Sequence, residues 1–183
     1  MDFRIRATLS SIDEAFLSLL RVKPLNQITI KELCDKAGID RSTFYRHYRS
    51  IDDLMETTER NLLAELDVRL EKKHVTMKEV LVEVLEIIKS NSERYMVLFS
   101  ENGDPVFPSR VLRIAYGHSA ENLEELYPAL SATKKRWLFD YVAYGLSAIW
   151  KDWIEAGMIE PVSEVACFAS MLVENGARNC AAK

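Results

Sequence analysis

A chain of 183 residues with 48% apolar content is long enough to bury a full core and too short for two large domains. Its formal charge of −4 hides a division: residues 1–50 carry nine Lys and Arg against six Asp and Glu, a net of +3, while the remainder carries 15 against 22, a net of −7. A small basic head and a larger acidic body follow, an asymmetry that favours an oriented approach to phosphate. Cys34, Cys167 and Cys180 are widely spaced and form no C-x-x-C or Cys/His pattern, which argues against a disulfide framework or a zinc site and for a reducing cytosol; no cofactor is expected. The N-terminus carries Asp2, Asp13 and Glu14 and no apolar h-region, and no apolar run approaches ~20 residues. The expectation is a cytoplasmic protein without membrane contact.

Ile5, Leu9, Ile12, Phe16 and Leu19 alternate steps of four and three, predicting a first helix that ends before Pro24. Thr29 to Tyr48 then reads as two short helices broken at Gly38. Thr29 caps the first, with Glu32 placed to reach back to the cap, and Ile30, Leu33, Cys34 and Ala37 form its buried face. Cys34 is then a small core residue, with a redox switch as the minority alternative. Gly38 supplies the positive φ that ends the helix, Ile39 seals the corner and Asp40 caps the next helix. There Phe44 and Tyr48 share a face with i+4 spacing. Arg41, Ser42, Thr43, Tyr45, Arg46 and His47 look outward, donors suited to phosphates and base edges. An arginine-rich outer face is often only a solvated face. Here the closed apolar register, the two caps and the interleaved aromatics favour a DNA-reading helix-turn-helix.

The run I-T-I-K-E-L-C-D-K-A-G-I-D-R-S-T-F-Y-R-H-Y-R-S-I-D-D-L, Ile28 to Leu54, resembles without gaps the signature of the TetR/AcrR family of transcriptional regulators. The likeness extends from about Phe3 to Leu70. F-S-E-N-G-D-P-V-F at Phe99 to Phe107 and W-I-E-A-G-M at Trp153 to Met158 resemble a C-terminal domain of a subfamily that includes regulators of dihydroxyacetone kinase operons. The resemblance implies a repressor that binds a double-stranded, palindromic operator as a homodimer and answers a small-molecule effector. It maps DNA contact onto Arg41, Ser42, Thr43, Tyr45, Arg46, His47 and Tyr48. Tyr45, His47 and Tyr48 are expected on phosphates, Ser42 and Thr43 at the groove mouth, and Arg41 and Arg46 on bases. One position departs: where the family carries Lys at the start of the fourth helix, this chain has Ile51 followed by Asp52 and Asp53. The acids suit the positive helix end, but a phosphate-reaching cation is lost, so a lower affinity or a shallower salt slope is expected.

Ser50 caps this longer helix with Asp53 three residues on, and Leu54, Thr58, Leu62, Leu66 and Leu70 carry its stripe. Helices are expected at Met77 to Ser90, with Val80, Leu81, Val84, Leu85 and Ile88 inward, and at about Ser92 to Glu101. A loop follows from Asn102 to Pro108, where one Gly in Gly-Asp-Pro makes a turn and not a phosphate cradle. The next helix runs from about Pro108 to Leu126 and ends at Tyr127-Pro128. Thr133 to Ala156 and Ser163 to Asn175, divided by Gly157 and Pro161, complete the chain. In the first of these, Trp137, Leu138, Tyr141, Val142, Leu146, Ile149, Trp150 and Trp153 occupy more than one face, a surplus that points to a partner helix pair in a four-helix dimer bundle. A core role is the alternative.

The fold class is therefore all-α: a three-helix head (residues 1–50), a connecting helix (51–70), and an effector-binding and dimerisation body (71–183) whose last two helices form the dimer bundle. Tyr95, Met96, Phe99, Tyr116, Tyr141, Tyr144 and Trp150 are candidates to line an effector cavity, with plain core as the alternative. His74 and His118 lack a ligand-spaced partner and read as surface histidines. With no P-loop, G-x-S-x-G or H-E-x-x-H, an enzyme is not expected. An adaptor whose acidic body holds another regulator or an enzyme subunit is the competing class.

Overall fold

The computed structural model describes residues 3–71, 76–118, 128 and 130–178, with side chains to residue 174. Among these residues the regular structure is helical, in the order α1 (Phe3–Leu20), a 3-10 turn (Leu25–Gln27), α2 (Ile30–Ala37), α3 (Arg41–His47), α4 (Ile51–Arg69), α5 (Met77–Ser90), α6 (Ser92–Leu98), α7 (Phe107–Gly117), α8 (Ala132–Glu155) and α9 (Val162–Arg178). None of the helices is long and apolar enough to cross a membrane. The chain forms two compact units, Met1–Leu62 with Val97–Pro105, and Leu63–Met96 with Val106–Lys183.

In the first unit, α1 packs on α2 and α2 on α3. Ile12, Phe16 and Leu20 of α1 join Leu33 of α2, Phe44 of α3 and Leu54 of α4 in a core closed to solvent. Burying side chains of this size yields ~1.5–3 kcal/mol each, which is what holds such short helices in place. The expected α1 stripe is only partly buried, because Ile5 lies in the exposed first turns. On α4 the stripe holds and Thr58 is buried, its hydroxyl donating to the Asp13 carboxylate at 3.3 Å. α6 ends at Leu98, short of the expected Glu101, and the chain folds back over that end. A Cβ at Gly103 would lie 2.2 Å from the Leu98 carbonyl oxygen, so only glycine permits the approach.

In the second unit α5 packs on α7 and α9, and α8 on α7 and α9. α5 carries a complete capping box between Thr76 and Glu79 and buries the five expected residues together with Ile87. α7 begins at Phe107 and is described to Gly117; Leu126 and Tyr127, where it was expected to end, lie outside the described residues, as do His74 and Cys180. His118 is half-buried, and its Nε2 lies 2.7 Å from Asp67 Oδ1, a partner 51 positions away that spacing rules cannot find. α8 and α9 are joined by a tight turn in which Gly157 has φ 85° and the Met158 N–H donates to the Trp153 carbonyl at 2.8 Å.

Candidate nucleic-acid interface

α3 is seven residues long and could not persist alone. Three local devices hold it. Gly38 adopts φ 68°, ψ 32°, and the Ile39 N–H donates to the Cys34 carbonyl at 3.0 Å, closing α2 and turning the chain. Asp40 Oδ1 accepts from the Thr43 N–H and the Ser42 hydroxyl, both at 2.7 Å. These bonds, Ser42 first, hold its carboxyl below the usual carboxylate pKa. Phe44 plugs the core from the inner face.

The outer face follows from that anchoring. Arg41, Ser42, Tyr45 and Arg46 are exposed, and Thr43 and His47 half-buried. The Arg46 guanidinium donates to the Thr43 hydroxyl at 2.7 Å. The Tyr45 ring stands edge-on to Phe44, 5.6 Å between centroids, so its orientation is set from below. Tyr48 lies beyond the helix, in extended conformation (φ −138°, ψ 143°), its N–H donating to the Phe44 carbonyl. Its partnership with Phe44 persists as a ring contact at 5.7 Å, and only 9% of the residue is exposed. Burial, with Asp13 and Asp53 nearby, raises its phenol pKa and keeps it neutral.

Three features lay outside the sequence reading. Glu32 forms an ion pair with Lys23 on the preceding turn, where a return to the Thr29 cap was expected; Thr29 still caps α2, accepting from the Glu32 N–H at 3.2 Å. Asp53 accepts from the Arg49 N–H at 2.7 Å, while its own N–H donates to Ser50 Oγ at 3.1 Å, which fixes the start of α4 and leaves the Arg49 side chain exposed. Ile51 is buried at 8% exposure, so the residue standing where the family has a cation serves the core. Cys34 is buried too, and burial pushes its thiol pKa up, which makes it a packed residue rather than a reactive one.

The family model for the N-terminal domain, described as bacterial regulatory proteins of the tetR family, matches residues 14–58, the span just described. A second, described as a transcriptional regulator C-terminal region of TetR type, matches residues 75–175, more than half of the chain. The chain belongs to the TetR family. It is a DNA-binding transcriptional regulator, and TetR proteins are regulators rather than enzymes. No curated protein sequence matches it. Solved structures similar to this TetR protein include a TetR transcriptional regulator from Streptococcus agalactiae 2603V, 24% identical, TM-score 0.69, covering 93% of this chain and 95% of that one. The fatty acid degradation regulator FadR from Bacillus halodurans is 11% identical, TM-score 0.62, with coverage of 93% and 96%. The dihydroxyacetone kinase operon activator DhaS is 19% identical, TM-score 0.58, with coverage of 94% and 97%. At these identities the likeness establishes the fold.

The aromatic set considered for an effector cavity is dispersed. In the second unit Tyr95 and Trp150 are buried, Tyr116 is half-buried, and Met96, Tyr141 and Tyr144 are exposed; Phe99 is buried and belongs to the first unit. A cavity of about 360 Å³ between α8 and α9 is lined by none of them.

Proposed function

We propose that this TetR-family protein is a repressor that binds a palindromic operator as a homodimer and is controlled through its C-terminal part. Residues 1–50 would form the DNA-binding head, 51–70 the connecting helix and 71–183 the effector-binding and dimerisation domain. The observation that carries the reading is the outer face of α3: a helix held by Asp40 and Phe44 that presents Arg41, Ser42, Tyr45 and Arg46 to solvent. Arg41 and Arg46 are assigned to base edges, Ser42 and Thr43 to the mouth of the major groove, and Tyr45, His47 and Tyr48 to phosphates. The exposed Arg49, anchored through its backbone to Asp53, supplies the phosphate cation that Ile51 does not.

Dimerisation is supported by a stripe too apolar for solvent: Trp137, Tyr141 and Tyr144 on α8 are more than 60% exposed, and Phe168, Met171 and Leu172 on α9 continue it. Two such helix pairs make a four-helix bundle, whose two-fold axis would set the reading helices ~34 Å apart, one turn of DNA. Of the aromatic set proposed for the effector, Trp150 is the best supported member, since its Nε1 is buried with no acceptor among the described residues and would suit one on a ligand. An effector favouring one arrangement of the heads weakens operator binding, and DNA weakens effector binding equally.

A footprint on the DNA upstream of its gene tests the assignment. Protection of an inverted repeat with half-sites one turn apart, and reporter expression that rises when the gene is deleted, are expected; unselective protection contradicts it. A partner-dependent adaptor or co-activator is the second reading, favoured by the loss of the cation at Ile51. It requires selective protection only when a second protein is added.

A further inference from the structure

We infer that the two copies associate through one specific register of α8, in which Trp137 of each fills the cavity between α8 and α9 of the other. The inference rests on the homodimer reading and adds to it which residues meet. The cavity, about 360 Å³, has an apolar floor of Ile149, Trp153, Val165 and Phe168 and is edged by Asp152 and Glu164. It sits at the C-terminal end of α8, beside the exposed stripe. At the other end of the same helix Trp137 stands 61% exposed. An exposed indole needs apolar cover and an acceptor for its N–H, and this cavity offers both.

Two-fold symmetry turns that pairing into a register. If two α8 helices run antiparallel with Trp137 opposite the partner's Asp152, paired positions sum to 289, and every other pair on the stripe is then fixed. Tyr141 meets the partner's Ala148. Tyr144 meets the partner's Gly145, where a Cβ would find nothing within 4 Å in the single chain. Lys134 meets the partner's Glu155. All of these positions are exposed. Each large side chain therefore faces a small residue or the cavity, and the outermost pair is of opposite charge. Shifting the register by one helical turn sets Tyr144 against the partner's Tyr141 or Ala148 and places Lys134 away from Glu155. Trp137 lies about 7.5 residues from the axis, or roughly 11 Å along the helix, so both cavities fill at once.

The charged ends give a test that separates register from dimerisation. Lys134→Glu carries acids at both ends of α8 and Glu155→Lys carries bases at both, so each homodimer would hold two like-charged contacts. The mixed dimer would hold two opposite-charged ones. Sedimentation of each variant alone and of the equimolar mixture, with wild type as reference, should show several-fold weaker self-association in each and recovery on mixing. Trp137→Ala should weaken the dimer on the order of 100-fold, because two anchors are lost. Gly145→Leu, at a position where an added Cβ meets no atom of its own chain within 4 Å, should sediment as a monomer while circular dichroism shows it folded. A dimeric wild type whose charge variants self-associate normally and do not prefer each other overturns the register and leaves the homodimer standing. A monomeric wild type overturns both.

Discussion

Arg46 donates to the hydroxyl of Thr43, one turn earlier on the exposed face of α3, at 2.7 Å. The bond holds a long, otherwise mobile cation in one orientation before any partner arrives, which lowers the entropy lost on binding. If Arg46 reads a base, Arg46→Ala costs ~1–3 kcal/mol and relaxes preference at one operator position. Thr43→Val, which keeps the shape and removes the acceptor, should reproduce part of that loss. A double-mutant cycle by fluorescence anisotropy is expected to give coupling of ~0.5 kcal/mol or more; strict additivity would show that the bond does not organise the arginine.

Gly38 is the hinge of the motif by conformation alone. No atom lies within 4 Å of a Cβ built there, so Gly38→Ala meets no clash and pays only for its φ of 68°. The expected loss is ~1–2 kcal/mol in thermal melting, with Gly38→Asn milder because Asn tolerates that region. Equal melting of Ala and Gly forms would show that the turn relaxes to another conformation.

Phe44 connects α3 to the core. It is fully buried, and Phe44→Ala should cost ~3–5 kcal/mol. Because the residue also orients Tyr45, loss of head helicity and loss of DNA binding are expected at the same temperature. A variant that melts as wild type would place the anchoring elsewhere.

Asp40 gives the head an acid limit. Its folded pKa lies below the ordinary 3.8, held there first by the Ser42 hydroxyl and then by the Thr43 N–H. A depressed carboxyl contributes stability that is fully present above the unfolded pKa and is lost as pH falls through the folded one. α3 should therefore hold at neutral pH and loosen only below about pH 4, and Asp40→Asn, which can still cap, should lose that component of the pH dependence. Identical acid titrations of the two proteins by circular dichroism would contradict this origin.

The parts of the fold legible in the sequence are those set within a few residues. Thr29, Gly38 and Asp40 act on backbone groups one turn away, and each cap lies where composition puts it. What escaped depends on distant chain segments. Glu32 is drawn to Lys23, nine positions back, and His118 to Asp67, 51 positions back. The end of α3 before Tyr48 was missed because helical spacing and a ring contact across a helix end give the same i+4 pattern. On α8 the sequence showed an excess of aromatics without saying which face was which. Trp150 is buried and Tyr144 exposed because α7 and α9 cover one side, and no property of the two residues themselves distinguishes them.

The outer face of α3 is expected to read DNA without a partner protein. The most direct test is anisotropy of the purified protein on labelled DNA from upstream of its gene, against scrambled DNA, across a salt series, with wild type and Arg46→Ala. Selective binding that weakens steeply with salt, and whose selectivity falls in the variant, is the expected result. Binding that is weak, equal on both DNAs and indifferent to Arg46 would contradict it.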